Sequence, residues 1–393
     1  MHQLTAKNNS DLDTLWSVVR NQLRLTFVGK NEIIDLLLAC VVAGEHLLLL
    51  GPPGTAKSAL IQRFVRLIDA QSFEYLLTRF TEPNELFGPV DIELFTDKKR
   101  YRRLTTGMLP DAHIVFLDEI FKANSAILNT LLTVMNERIF YNGAEDGSPG
   151  MKAQALPVLS VFGASNELPD DPELLALVDR FAVRAVTGNV PEEATRAMLV
   201  RGWELEKERA FLQRGRLQSL IDPTSIQELG QLIAKVDTSG VQEALLRFAS
   251  LVRAQGFDLS DRRLVRLLRL AAASALLRRS TACTLEDLWV LRHAWTHPQE
   301  AETLEKLVRE VAGEAALRMD ERRPLEDLER EVGSQESLLA TRTTDPERLA
   351  ALHRLKTLKS ELDTHPGNAE KRRQLQDRLE QLSQTLLAAM AAA

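Results

Sequence analysis

Apolar positions in the first 190 residues switch repeatedly between short apolar runs and helical spacing. Leu47–Leu50 is a four-leucine run, and Ile114–Leu117 is likewise unbroken. Runs this short and this apolar predict buried strands. Phe73–Leu77, Val158–Ala164 and Phe181–Val186, interrupted by Glu74, Ser160 and Arg184, predict three more strands. Between them, apolar residues recur three and four apart: Leu12, Leu15, Val19 and Leu23; Ile33, Ile34, Leu37, Leu38 and Val41; Leu60, Ile61, Phe64 and Val65; Ile127, Leu128, Leu131, Leu132 and Met135. Pro172–Val178 predicts a further short helix. Strands alternating with helices predict an α/β layer with a mainly parallel five-stranded sheet. Alternation at Val90–Leu94 and Tyr101–Leu104 predicts a β-hairpin with the basic tip Lys98, Lys99 and Arg100. Asn142-Gly143 and Gly147–Gly150 suggest a second hairpin within residues 139–157.

After Pro191 only the helical period remains. Pro191–Ala210, Ile226–Val236, Val241–Ala254, a long helix opening at Leu259–Arg263 and a last one over Leu285–Trp295 make an all-α block. No Phe, Trp or Tyr follows Trp295, and that shift in usage marks a boundary. Three regions are expected: a nucleotide-binding α/β domain over 1–190, a helical lid over 191–298 and a helical extension over 299–393. In the extension Leu375, Leu379, Leu382 and Leu386 repeat by four and three, as in a helical hairpin or short coiled coil.

Composition narrows the class. The chain has 393 residues, of which 45% are hydrophobic, so a real core is expected. A net charge of −6 argues against bulk nucleic-acid binding. Cys40 and Cys283 have no metal or redox spacing and read as buried thiols. His46, His113 and His293 form no ligand set. No run is long enough to span a bilayer, and a cytoplasmic protein is expected.

The chemistry gathers where the leucine run ends. Gly51-Pro52-Pro53-Gly54-Thr55-Ala56-Lys57-Ser58-Ala59 follows it and opens a helix. Strand, glycine-bearing loop and helix start, in that order, aim backbone N–H groups and a helix dipole at one point and so seat a polyphosphate. Lys57 is expected on the β- and γ-phosphates and Ser58 on Mg²⁺. Ala56 replaces the second glycine of the general spacing; alanine is acceptable there if φ is negative. Asp118 and Glu119 end the Ile114 run, where ligands collect outside a parallel sheet. Asp118 is expected to hold Mg²⁺ and Glu119 to deprotonate the attacking water. Asn166, at the end of the Val158 run, is placed to orient that water. Arg180 is a candidate arginine finger reaching a neighbouring subunit's nucleotide. Arg262, a cation at a helix start, suggests a nearby anion.

These stretches, in this order, resemble a MoxR-family AAA+ ATPase, and within it the RavA branch. The resemblance lies in Gly51–Ser58, Glu82–Gly88, Gly107–Pro110, Ile114–Ile120, Leu131–Arg138, Gly163–Glu167, Asp179–Phe181 and Leu259–Arg263, and covers residues 1–298. It implies that Lys57 and Ser58 are Walker A, Asp118 and Glu119 Walker B, Asn166 sensor 1, Arg180 the arginine finger and Arg262 the sensor 2 arginine. Arg184 competes with Arg180 for the finger role. Val28-Gly29 resembles the lining of the adenine pocket. Residues 83–109 look like a helix-2 insert and 138–157 like a pre-sensor-1 hairpin. Where the family often has Asn-Arg-Ala after the Walker B acids, this chain has Phe121-Lys122-Ala123. The resemblance further implies a ring, a hexamer, with ATP between subunits; a chaperone-like action on a protein client; and a partner with a von Willebrand factor A domain. Two rival readings are a nucleic-acid-stimulated motor of the helix-2-insert clade and a slow nucleotide-gated scaffold.

Overall fold

In a computed structural model the described residues are 5–98, 100–143, 151–169, 171–211, 219–317 and 369–391, with 328, 329, 332, 333, 335, 336, 355, 358, 359 and 362 between them. Five strands make one parallel sheet: β1 (Leu47–Leu50), β2 (Ser72–Leu76), β3 (Ile114–Asp118), β6 (Ser160–Ser165) and β7 (Val183–Val186). The spatial order is β2-β3-β6-β1-β7. β4 (Ile139–Gly143) and β5 (Met151–Ala155) pair separately as an antiparallel hairpin. Its turn, with the Gly147–Gly150 signal, lies outside the described residues.

The leucine run is central because every residue of it is apolar. Leu47 to Leu50 are all buried, with β6 on one side and β7 on the other. A strand covered on both faces reads as a continuous apolar run. The helix Asn31–Ala43 has eleven buried residues of thirteen, because it lies between β1 and the helix Asp261–Leu277 of the all-α block. An apolar all-round helix needs such a double cover.

The first predicted hairpin is not one. Ile92–Lys98 is a helix, and only the isolated bridge Val90↔Arg103 links its two flanks. The Asp91 carboxylate accepts the Leu94 backbone N–H at 3.0 Å, a helix-start cap that overrides the strand-like alternation. Lys99 lies outside the described residues.

The all-α block contains Glu192–Phe211, Pro223–Leu232, Ser239–Ala254 and Asp261–Leu277, followed by a 3₁₀ segment, Leu285–His293. Helix Ala301–Ala312, placed by sequence in the extension, packs on Ser239–Ala254 and Leu285–His293. Residues 1–319 form one compact unit and 320–393 another. In the second, Leu375, Leu379 and Leu386 on helix Ala369–Ala391 are buried with Leu328, Val332, Leu355, Leu358 and Leu362. Both cysteines are free and buried. Among the described residues no helix is long and apolar enough to cross a membrane.

Candidate nucleotide site

Strand order places the chemistry. β3, β6 and β1 are adjacent and parallel, so their carboxyl ends lie side by side. Those ends carry Asp118-Glu119, Ser165-Asn166 and the Gly51–Ser58 loop respectively. Neighbouring strands are about 4.8 Å apart, so all three segments lie within a nucleotide's length. The Gly51 N–H donates to the Ser165 carbonyl at 3.0 Å and ties the loop to the second of these ends.

The loop's shape follows from its residues. Gly51 has φ +146°, and a Cβ there would lie 2.0 Å from the Thr187 carbonyl oxygen, so only glycine fits. The Thr55 hydroxyl donates to the Pro52 carbonyl at 3.0 Å and meets the Thr187 hydroxyl at 2.9 Å. Ala56 corrects the sequence expectation. Its φ is +64°, in the left-handed region, not negative. Alanine here carries the strain that the second glycine of the general pattern avoids.

Lys57 is buried at the start of the helix Lys57–Leu67, and its ammonium donates to the carbonyls of Gly51 at 2.7 Å and Pro52 at 3.0 Å. Burial lowers its pKa, while the charges of Asp118 and Glu119 work the other way. Glu119 also has a left-handed backbone, φ +52°. Its Oε1 accepts the Asn166 side-chain amide at 2.9 Å, and its Oε2 lies 3.4 Å from the Lys122 ammonium. Asp118 Oδ1 accepts the Glu119 backbone N–H at 2.9 Å. Half-buried Ser58 follows Lys57. A hydroxyl and a carboxylate beside a phosphate seat are hard oxygen donors, a set that fits Mg²⁺.

Val28 and Gly29 flank the loop. A Cβ on Gly29 would lie 3.6 Å from Val190, and the segment from Thr187 to Pro191 joins this flank to Thr55. Lys30, missed in the sequence, is buried here. Its ammonium donates to the Gly188 carbonyl at 2.7 Å, and its pKa is lowered by burial and then by Lys57. A lysine directly after Val28-Gly29 was the available signal.

Two candidates lie elsewhere. Arg180 precedes β7, which runs parallel to β1 with Leu47 opposite Val183. It therefore sits at the amino edge of the sheet, a strand length of about 13 Å from the phosphate loop. Phe181 anchors it: the ring is fully buried against Gly163, where a Cβ would lie 2.7 Å from its Cζ. Arg180 Nε is buried with no hydrogen-bond partner among the described residues. Burial lowers its pKa, and the charge of Arg262 adds to that. Arg262 is exposed at the start of Asp261–Leu277, beside Arg180 rather than beside Lys57. Arg184 is only 1% exposed and donates from its two terminal nitrogens to the carbonyls of Trp295 and Val178; its Nε, like that of Arg180, is buried with no hydrogen-bond partner among the described residues.

Comparison with known proteins places the family. Residues 13–231 match the MoxR domain of the MoxR-vWA-beta-propeller ternary systems, and residues 241–308 match an AAA lid domain. An uncharacterized protein of Methanocaldococcus jannaschii is 38% identical, over 72% of this chain and 72% of its own length. The chaperone MoxR1 of Mycobacterium tuberculosis is 24% identical over 30% of each chain. A crystal structure from Cytophaga hutchinsonii, provisionally called an ATPase, shares the fold at 20% identity with a TM-score of 0.57, covering 78% of this chain and 95% of that one. With its five-stranded parallel sheet, its Gly51–Ser58 loop and its helical lid, the chain belongs to the MoxR family of AAA+ ATPases.

Proposed function

We propose that the chain hydrolyses ATP as a ring, a hexamer, with each nucleotide at a seam between two subunits, and uses the cycle to remodel protein complexes. One observation carries this reading. Lys57, Asp118, Glu119 and Asn166 share one edge of the sheet, while Arg180, with Arg262 beside it, sits at the other. A guanidinium pairs strongly with a phosphate, and Arg180 lies a strand length from its own subunit's loop. The subunit therefore offers a phosphate seat at one edge and a cationic pair, Arg180 and Arg262, at the opposite edge for its neighbour.

Within the seat, Lys57 leaves the loop carbonyls for the phosphates. Glu119, held by Asn166, takes the proton of the attacking water. Ser58 and Asp118 would hold Mg²⁺, which would supply neutralisation of the negative charge on the phosphates. Val28 and Gly29 line the base end, and Lys30 lies beside them.

The remodelling role, and action in the cytoplasm beside a von Willebrand factor A partner, draw support from the family description and from the chaperone named among the relatives. The test is hydrolysis against protein concentration, with sedimentation in parallel. Specific activity should rise steeply where ATP drives assembly. Full activity in a proven monomer would defeat the shared-site reading.

A further inference from the structure

We propose that Arg266 is a positioning residue: it builds the Arg180 turn onto the lid, so that the lid's position sets where the finger is presented. The proposal rests on the reading of Arg180 as acting on a neighbour's nucleotide.

Arg266 lies one helical turn after Arg262 on the lid helix Asp261–Leu277. Residues four apart share a helix face, so both point to the amino edge of the sheet. The Arg266 guanidinium reaches three acceptors there. Nε donates to Glu45 Oε2 at 2.5 Å, one terminal nitrogen to the Arg180 carbonyl at 2.6 Å, and the other to the Asp179 carbonyl at 3.3 Å. Glu45 stands two residues before β1. One side chain thus joins the lid, the entry to the central strand and the turn that carries the finger.

The same helix is stitched to this edge on either side. Arg263 donates to the Ala182 and Trp295 carbonyls, and Arg269 to the Ala43 carbonyl. Among the side chains of the described residues, Arg266 is the one that hydrogen-bonds to the carbonyls of Asp179 and Arg180 themselves. It fixes the main chain, not the Arg180 guanidinium, which is left for another molecule. Burial pushes the Glu45 carboxyl up and Arg266 opposes that shift, so each of this pair depends on the other. A planar fork can serve three acceptors where a lysine ammonium cannot hold the same geometry. When the lid helix turns, the Asp179–Arg180 turn moves with it, and the state of one subunit is passed to the next one's site.

Mixed assemblies separate the two roles of a subunit. Arg180→Ala subunits keep a whole site and accept a finger; Glu119→Gln subunits keep a finger and donate it. Mixing these two should restore turnover. Adding Arg266→Ala to the donor should then cut the restored turnover by about tenfold or more, since a misplacement of about 1 Å is that costly. Adding it to the acceptor should cost far less. Arg266→Lys, which keeps a charge beside Glu45, repeats the comparison in a milder variant. Equal losses in both roles, or none in the donor, would overturn the proposal. No recovery in the parent mixture would instead overturn the reading of Arg180 as a finger acting on its neighbour.

Discussion

The Asn166 amide donates to Glu119 Oε1 at 2.9 Å, joining the ends of two adjacent strands. This bond aims a carboxylate that stands on a left-handed backbone and has Lys122 on its other oxygen. Asn166→Ala should leave nucleotide affinity nearly intact and lower turnover by roughly tenfold to a hundredfold, because a positioned base loses most of its advantage when free to rotate. Glu119→Gln should fall further while still retaining ATP. Equilibrium binding beside single-turnover hydrolysis checks both. A drop in affinity that matches the drop in rate would count against the positioning role.

Ala56 offers a stability test within the Gly51–Ser58 loop. At φ +64° glycine is favoured over alanine by more than its entropy in the unfolded chain costs. Ala56→Gly should raise stability by about 1 kcal/mol and preserve ATP binding, whereas the β-branched Ala56→Val should destabilise the loop and weaken binding. Chemical denaturation with and without ATP measures both changes. A destabilised glycine variant would mean that the loop relaxes away from this geometry.

The sheet and its loop were legible because burial is written in consecutive letters: four leucines cannot be a half-exposed strand. The place of Asp118, Glu119 and Asn166 followed, since parallel strands deliver their ends to one edge. Two features were not legible, for separate reasons. The alternation Val90-Asp91-Ile92-Glu93-Leu94 matches a strand, yet Ile92 is 75% exposed and the Asp91 cap starts a helix. Alternation specifies a strand only where a partner strand and a core face are present. Arg266 was missed because its three acceptors come from chain segments far from it in sequence. Arg180 and Arg184 are alike in sequence, and only burial tells them apart.

Acid should loosen the junction between the helix Asn31–Ala43 and the lid. Glu32 accepts from Arg292 and His293, each at 2.6 Å. Burial works against its charge, but the His293 hydrogen bond and the Arg292 charge outweigh that and hold its pKa down to about 2. A carboxyl whose folded pKa lies below its unfolded value stabilises the fold above the unfolded pKa, near 4.5, and that contribution is lost as pH falls toward 2. Glu32→Gln should therefore cost stability at pH 7, by about 1 kcal/mol after allowing for solvent screening, and converge with the parent protein at the acid end. Denaturation midpoints across pH 2 to 7 follow the convergence. A gap that stays constant over that range would mean the ion pair is not its source.

Arg180 and Arg184 should fail in opposite ways when each is replaced by alanine. Arg184 is 1% exposed, and its bonds to the Trp295 and Val178 carbonyls lie wholly within the subunit. Truncating it removes two buried hydrogen bonds and opens a cavity, which should cost on the order of 3 kcal/mol whether or not nucleotide is present. Arg180 is only part-buried, and that burial already disfavours its charge. Arg180→Ala should therefore keep the denaturation midpoint of the parent, or raise it slightly, while hydrolysis falls by about a hundredfold or more, in the range of a lost arginine finger. Measuring both properties on both variants distinguishes the two arginines. Should Arg184→Ala prove stable and inactive, and Arg180→Ala unstable, the assignment of the finger would pass to Arg184.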